Sequence, residues 1–385
     1  MTDSDEQRGL LRISARRFES SPYFEFYTDA QTEFGVAAGR YYAADLGEDP
    51  IASYWALRRD AVLFDVPEKP WQIEGPDALA FLEHLFARRI DSLKPGRGCY
   101  AIACTAAGGT FMDGILFRLD ADRYWYVQAD GEFEAWMTAH RAGFDVEITD
   151  PRSHVLQLQG PNSMAIMQAL SDGAIDETMR YFDSGFYPLG KQTLFVSRTG
   201  WTGELGYEIY SRGDDTDTAQ LWYDLLAAGE PHGLQVGSLL ALGVRRIEAG
   251  ILDAGSDFDS TVTPYEAGLG AFVDLDKPDF IGKAALMQVG RQNLLYGLKC
   301  TASEPARGDT VLQEGRVVGQ LTAGDWSPFL ECGIGYVRFH QPADWIGQTL
   351  TLRKRDQASF PCEIVPLPFY DAEKRIPRGM DRVAP

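Results

Sequence analysis

The sequence has few cysteines, few histidines and no long apolar run. Its five cysteines are scattered without a C-x-x-C pair, and its five histidines are dispersed along the chain. These patterns argue against a disulfide framework, a zinc knuckle or a sequence-local metal site. Nowhere do about 18 apolar residues follow one another, as a membrane-spanning helix requires. The amino-terminal stretch does not resemble a secretory signal, so we expect a cytoplasmic protein.

Positive charge is also scarce. The 385 residues include 56 acidic and 36 basic side chains, a formal net charge of -20, and no basic run. Such a chain repels polyphosphates and anionic headgroups, so we expect neither nucleic acid nor a membrane as partner. A P-loop, a hydrolase nucleophile elbow, a zincin helix and an EF-hand loop are absent as well.

Two segments of the chain look alike. Residues 73–86 (IEGPDALAFLEHLF) and 158–170 (LQGPNSMAIMQAL) each read as a short apolar strand, a Gly-Pro pair and an apolar-periodic helix. Their recurrence after 85 residues predicts a duplicated strand-helix unit and hence two related lobes. Further helices are predicted over 217–228 and 237–250, where apolar residues recur at intervals of three and four.

The carboxyl-terminal part has a different texture. From about residue 296, short strand-like runs such as LLYGLKC and GIGYVRF alternate with glycine, proline and aspartate, which is typical of a small β-barrel or sandwich. We therefore predict an α+β protein with two domains, residues 1–290 and 291–385. The first would hold the two lobes and the second the barrel.

A hairpin candidate spans residues 197–210 (SRTGWTGELGYEIY). Strand alternation puts Glu208 and Tyr210 on one face. A carboxylate beside aromatic rings on a rigid strand suits a flat heterocycle with adjacent N–H donors. The alternative is a solvated hairpin edge.

A second candidate is the run CYAIACTAAGGTFMDGIL at residues 99–116. Gly108 and Gly109 predict a tight turn, and Asp113 falls early in the returning strand between apolar neighbours. Buried carboxylates have partners or shifted pKa values and concentrate at functional sites. The alternative is an aspartate that caps the turn.

A third candidate is residues 245–268, where Arg246, Glu248 and Glu266 stand in an otherwise apolar helix and loop. An internal ion pair would explain these charges without any function.

Together these segments resemble the glycine cleavage T-protein superfamily. SRTGWTGELGYEI is similar to the family's S-R-T-G-Y-T-G-E-x-G-F/Y-E signature, and IGKAAL to its F-x-G-K-x-A-L run. RRIEAGILDAGSDFDSTVTPYEAGL and GQLTAGDWSPFLECGIGYV resemble two further family segments, in the same order along the chain. The resemblance implies the three-part aminomethyltransferase fold with tetrahydrofolate in a central cavity.

The resemblance also implies site residues. Asp113 matches the family's aspartate near the reacting folate nitrogens, and Glu208 the glutamate that grips the pterin. Tyr100 and Trp201 match aromatic positions of the cavity wall, and Tyr370 would close the site from the last domain. An aryl ether or amine leaving group would need a proton donor, for which Tyr210 and Tyr100 are the candidates. Asp113 and Tyr210 are the predicted catalytic residues.

Two departures bear on the reaction. Met112 stands where T-proteins have the first of two aspartates, and Leu242 where they have a helix arginine. Both departures resemble the demethylase branch, which includes dimethylsulfoniopropionate and aryl O-demethylases. We therefore expect methyl transfer from a small S-, O- or N-methyl donor to N5 of tetrahydrofolate. The alternatives are a T-protein aminomethyltransferase and a noncatalytic folate-binding protein.

Overall fold

A helix and three strands precede the lobes. The computed structural model describes residues 14–382. Its first elements are β1 (Glu33–Ala37), β2 (Arg40–Asp45), α1 (Pro50–Arg59) and β3 (Ala61–Val66). Helix α1 begins where it does because the Asp49 side chain accepts hydrogen bonds from the amides of Ile51 and Ala52, and Pro50 occupies the first turn.

The two segments that look alike in sequence each open a lobe, and the lobes share one order of elements. The first lobe comprises β4 (Lys69–Glu74), α2 (Ala78–Leu85), β5 (Arg97–Cys104), β6 (Thr110–Arg118), β7 (Arg123–Gln128), α3 (Phe133–His140) and β8 (Glu147–Thr149). The second comprises β9 (Val155–Gln159), α4 (Ser163–Leu170), β10 (Ser184–Leu189), β11 (Gln192–Ser197), β12 (Gly206–Tyr210), α5 (Thr218–Gly229) and β13 (Leu234–Val236). The predicted duplication is therefore confirmed.

The sheets repeat the duplication. The strand order is β5-β6-β7-β4-β8 in the first sheet and β10-β11-β12-β9-β3-β13 in the second. The second sheet thus differs by one strand, β3, which is inserted between β9 and β13. The glycines of the two Gly-Pro pairs have matching roles: Gly75 and Gly160 have φ of 141° and 123°, and a Cβ atom on either would meet backbone atoms at 2.4 and 2.6 Å.

The chain ends in a closed barrel. After α6 (Leu239–Glu248) and the short α7 (Lys283–Leu286), the barrel consists of β14 (Leu295–Cys300), β15 (Thr310–Gln313), β16 (Arg316–Ser327), β17 (Cys332–Phe339), β18 (Thr349–Arg353) and β19 (Ser359–Val365). The strands close in the order β14-β17-β16-β15-β18-β19, with β19 paired to β14. The predicted α+β class and carboxyl-terminal barrel are both confirmed. Over residues 14–382, no helix has the length and apolar character needed to cross a membrane.

The two large sheets meet face to face. Ile115 and Phe117 of β6 belong to the same apolar cluster as Tyr210 of β12 and Phe195 of β11. The Phe117 ring lies 6.1 Å from that of Tyr210 and 5.5 Å from that of Phe195, centroid to centroid. Alternate residues of β6 and β12 therefore point into the space between the lobes, and this arrangement positions the site.

Candidate functional site

Asp113 lies on the face of β6 that looks toward the second lobe, because it is two and four residues from Ile115 and Phe117. The Tyr100 hydroxyl of β5 donates a hydrogen bond of 2.7 Å to its Oδ2. The preceding turn is closed without it: Thr105 accepts from the Gly108 amide at 2.8 Å, and its side chain from Gly109 at 3.2 Å. The turn-capping alternative for Asp113 is therefore wrong.

The pKa of the Asp113 carboxyl lies close to neutral pH. Asp113 is 7% exposed, and its Oδ1 atom has no hydrogen-bond partner among residues 14–382. Burial raises its pKa to about 6, the hydrogen bond from Tyr100 opposes this, and the charge of Asp253 adds to it. Asp113 thus combines an open acceptor atom with a pKa suited to proton transfer near pH 7.

Further carboxylates near Asp113 come from loops, and sequence reasoning missed them. Burial raises the pKa of Asp253, and the charges of Asp257 and Asp130 raise it further, while Ser256 and Arg246 act in the opposite direction. Asp130 and Asp253 also raise the pKa of Tyr42 after burial. Asp253 and Asp130 therefore add negative charge on this side of the site, whereas Asp257 is paired with Arg246.

Glu208 lies in a row of polar residues across the second sheet. Ser197 of β11 and Gln157 of β9 stand directly opposite it on either side. Its Oε2 accepts hydrogen bonds from Tyr210 at 2.6 Å, Thr199 at 2.7 Å and Ser197 at 3.3 Å. All five residues of β12 are buried, so the alternative of a solvated hairpin edge is wrong.

A second glutamate accompanies Glu208. The Nε2 atom of Gln157 donates to Glu208 Oε1 at 3.1 Å and to both carboxylate oxygens of Glu68 at 2.9 and 3.1 Å. Burial raises the pKa of Glu68 well above its ordinary value, and the charge of Glu208 raises it further. Sequence reasoning missed both Glu68 and Gln157. The alternation of leucine and glutamine in β9 (VLQLQ) was the available signal.

Tyr210 keeps its proton. Burial, then the charges of Glu208 and Glu68, raise the pKa of its hydroxyl well above the ordinary value. Its ring packs between lobes, 6.0 Å from Trp125 and 5.4 Å from Phe195. The hydroxyl donates its hydrogen bond to Glu208. A proton-donor role for Tyr210 stays a prediction.

Two predicted aromatic residues lie elsewhere around the site. Trp201 packs beside the inter-lobe cluster, and its indole N–H donates to the Leu252 carbonyl at 3.3 Å. The Tyr370 hydroxyl donates to Glu248 Oε2 and accepts from Arg58, both at 2.6 Å. Tyr370 thus joins a buried ion cluster instead of the Asp113 or Glu208 group. Its folate contact stays a prediction.

That cluster links α1, the second lobe, α6 and the barrel; its ionic members are Arg58, Glu204, Arg245 and Glu248. The Nε atoms of Arg58 and Arg245 each lie 2.8 Å from Glu204 Oε1, and Arg58 Nη1 lies 2.9 Å from Glu248 Oε2. Ser327 of the barrel donates to Glu248 Oε1 at 2.5 Å. The four ionic side chains are at most 2% exposed.

The third sequence candidate also forms ion pairs. Arg246 pairs with the buried Asp257, whereas Glu266 accepts hydrogen bonds from the amide and hydroxyl of Thr263 at 2.8 and 2.9 Å. The internal ion-pair reading of this segment is therefore confirmed for Arg246 and Glu248.

Two lobes of one topology, buried carboxyl groups on the facing sheets and a closed barrel form the architecture that the sequence resemblance predicts for a T-protein-type one-carbon transferase. Residues 26–277 match the family model described as GCVT N-terminal domain, and residues 294–371 match the glycine cleavage T-protein C-terminal barrel domain. The chain therefore belongs to the glycine cleavage T-protein family. The domain division at residues 290/291, still our proposal, falls between the matched ranges.

Similar proteins include two named aminomethyltransferases. That of Bacillus subtilis (strain 168) is 32% identical over 326 residues, which cover 82% of this chain and 89% of the relative. That of Halothermothrix orenii is 33% identical over 330 residues, with coverage of 83% and 91%. The crystal structure of glycine cleavage system aminomethyltransferase T from Bartonella henselae is 25% identical, with a TM-score of 0.82 and coverage of 92% and 98%. These names agree with the T-protein alternative better than with the demethylase prediction.

The family uses tetrahydrofolate, and the site residues fit that ligand. The pterin ring carries several N–H donors, and the site offers buried acceptors. Asp113 Oδ1 and Gln157 Oε1 have no donor among the described residues, and Glu208 stands beside Gln157. Because unpaired buried acceptors are costly, a ligand that donates to them is stabilised there.

Proposed function

We propose that this protein transfers a one-carbon group to N5 of tetrahydrofolate from a donor that carries a positive charge beside the transferred carbon. The observation that carries the proposal is the acidic surrounding of Asp113. Burial and then the charge of Asp253 raise the pKa of Asp113, and no cation of residues 14–382 is among the groups that lower it. Asp130 adds to the negative charge near Asp253, whereas Asp257 is paired with Arg246. A cationic donor would supply the missing countercharge.

In this reaction tetrahydrofolate supplies N5 as the nucleophile. Asp113 would accept the N5 proton, and Tyr100 would hold its carboxyl in place through the 2.7 Å hydrogen bond. Glu208 and Gln157 would orient the pterin by its N–H groups. Alignment of two reactants in such a site can contribute about 7 to 11 kcal/mol to lowering the barrier.

The first candidate donor is an aminomethyl group on a sulfur carrier, protonated at its amine. The names of the relatives support it. Transfer would break the carbon–sulfur bond, with the electron pair leaving on sulfur, and ammonia would depart when the second folate nitrogen closes the ring. The aminomethyl donor is thus the first candidate, whereas the sequence alone favoured a methyl donor.

The second candidate is a methyl group on a sulfonium or ammonium centre. It is favoured by Leu242, which is buried in the inter-lobe cluster with Tyr210 where T-proteins carry an arginine. Displacement would break the bond from carbon to the charged heteroatom, whose electron pair leaves with a neutral sulfide or amine. Met112 bears less on the choice, because it points into the core of the first lobe, away from Asp113.

The identity of the folate product distinguishes the two candidate donors. The purified protein is incubated with tetrahydrofolate and, in turn, an aminomethylated lipoyl carrier, sulfonium and methylammonium compounds, and neutral aryl methyl ethers. The aminomethyl donor predicts 5,10-methylenetetrahydrofolate with stoichiometric ammonia, and the methyl cations predict 5-methyltetrahydrofolate. Turnover of the neutral ethers alone would contradict the cationic-donor proposal.

A further inference from the structure

A small pocket lies between the second lobe and residues 376–382, beside the end of β9 and the start of β12. This Arg198 pocket has a volume of about 170 Å³ and is lined by residues of the segments 161–164, 198–205 and 376–382, together with Glu177. A cavity of about 150 Å³ can hold a molecule as large as benzene, so a small ligand fits here. None of the residues assigned to the pterin or to the transferred carbon lines the pocket.

Arg198 is the buried cation of this pocket. It is 3% exposed, its Nη1 atom donates to the Met179 carbonyl, and its Nε atom has no hydrogen-bond partner among residues 14–382. Its Nη2 atom faces Gly379, where an added Cβ would lie 3.0 Å away. A buried guanidinium without an anion is unfavourable, because burial removes its hydration and no opposite charge replaces it.

Unpaired positive charge exceeds unpaired negative charge in the lining. Three lining cations form no ion pair in the described part of the chain: Arg198, Arg378 and Arg382. Of the three lining carboxylates, Glu204 belongs to the buried ion cluster of α1 and α6, and Asp381 pairs with Arg375 at 2.6 Å. Only Glu177 is left to oppose the three cations within residues 14–382. The pocket therefore carries a positive charge that an anion can neutralise.

Two neighbouring features add to this positive potential. Burial lowers the pKa of Lys374; Asp371 opposes this, and the charges of Arg245 and Arg378 add to it. Met164, in the first turn of α4, lines the pocket, and no side chain caps that turn. The free amides at the start of a helix favour a bound anion.

We propose that the Arg198 pocket is a binding site for a small oxyanion, either inorganic phosphate or a short carboxylate. Both ligands can accept two parallel hydrogen bonds from a guanidinium, which is the chemistry that the buried Arg198 side chain offers. The site is independent of the one-carbon donor. It lies behind the segment that supports the pterin carboxylate, because Ser197 and Thr199, on either side of Arg198, both donate to Glu208.

The test is thermal melting of the full chain without folate, in phosphate, acetate or chloride at equal ionic strength. A hundredfold excess of phosphate over its Kd, measured by calorimetry, is expected to raise the Tm of the wild type by about 3 to 8 °C over chloride. An equal rise in acetate would assign the site to carboxylates, and a rise in phosphate alone would assign it to phosphate. Either result supports an oxyanion site.

Three variants separate this site from the general stabilising effect of phosphate on proteins. Arg198→Met should lose the anion-dependent rise in Tm and, because it removes an unpaired buried cation, should melt no lower than the wild type in chloride. Arg378→Ala removes an exposed cation and leaves the core intact, so it should weaken phosphate binding several-fold. The matched control is Lys94→Ala/Arg180→Ala, which removes two exposed cations near β5 and β10 and should keep the rise.

Equal anion-dependent rises in the wild type, Arg198→Met and Arg378→Ala would overturn the assignment. A rise that persists in Arg198→Met but disappears in Lys94→Ala/Arg180→Ala would place the anion near β5 and β10, and would also overturn it. Because these melts contain neither folate nor a donor, neither result bears on one-carbon transfer.

Discussion

Glu68 and Glu208 are joined by one amide group. The Nε2 atom of Gln157 lies 2.9 Å from Glu68 Oε1 and 3.1 Å from Glu208 Oε1. Burial raises the pKa of both carboxyls. At Glu208 three hydroxyl hydrogen bonds oppose the rise, whereas at Glu68 the charge of Glu208 adds to it and the pKa lies well above the ordinary value. Glu68 is therefore the partner that retains a proton, and Glu208 is the carboxylate available to a pterin.

The Glu68→Gln variant is expected to flatten the dependence of stability on pH. A carboxyl whose pKa is higher in the folded than in the unfolded state destabilises the fold as pH rises through that interval. The amide does not titrate, so the free energy of unfolding of the variant should rise relative to wild type as the pH rises above the ordinary glutamate pKa. Urea denaturation measures this, with the exposed Glu74→Gln as control. Parallel curves for wild type and Glu68→Gln would contradict the raised pKa.

Glu208→Ala should weaken tetrahydrofolate binding by roughly ten- to a hundredfold, because charge-assisted hydrogen bonds contribute about 1.5 to 3 kcal/mol each. Ligand at a hundred times its Kd stabilises a native state by about 2.7 kcal/mol. The variant should therefore lose most of the thermal shift that folate gives wild type. Calorimetric titration beside thermal melts measures both quantities. Equal folate binding by variant and wild type would show that Glu208 does not hold the pterin.

Asp113→Asn should fold, keep appreciable folate affinity and lose one-carbon transfer by roughly 10² or more, since removal of one preorganised group typically costs about 3 kcal/mol in the transition state. Asparagine retains the size of the side chain and removes the charge. Single-turnover formation of the folate product, measured beside thermal melts, checks this. Tyr100→Phe, which leaves the carboxylate in place, should show a smaller loss. Near-normal turnover in Asp113→Asn would direct the search to Tyr210.

The pH profile of kcat/KM should have an acidic limb near pH 6. The pKa of Asp113 is raised to about 6 by burial, so the carboxylate that accepts the proton is depleted below that pH. The rate should fall about tenfold per pH unit below the limb and level off above it. Asp113→Asn, measured at high protein concentration, should lack the limb. An unchanged limb in this variant would assign it to another group.

Arg58→Met should destabilise the protein by about 3 to 5 kcal/mol, because it leaves buried glutamates without a cation. Arg58 is fully buried between Glu204 and Glu248. Its neighbour Arg59 is exposed and stacks on Trp55, so Arg59→Met is the matched control and should change stability by less than about 1 kcal/mol. Urea denaturation measures both variants. Similar midpoints would mean that the cluster contributes little.

Local patterns predicted what lies on one strand, but not what pairs across strands. Strand alternation in residues 206–210 correctly put Glu208 and Tyr210 on one face, and the repeated Gly-Pro segments revealed the duplicated lobes. Glu68 follows β3 and meets Glu208 through Gln157. This contact depends on the pairing of β9 with β3 on one side and with β12 on the other, which no local pattern encodes.

The inserted strand β3 also bears on how the chain folds during synthesis. The sheet of the first lobe uses strands between residues 69 and 149 only, so it can form as soon as that stretch has left the ribosome. Strand β3 is made earlier but pairs with β9 and β13, and β13 ends at Val236. The ladder of β3 can therefore close only after the whole first lobe has been translated, and such non-local strand pairing is slow to form.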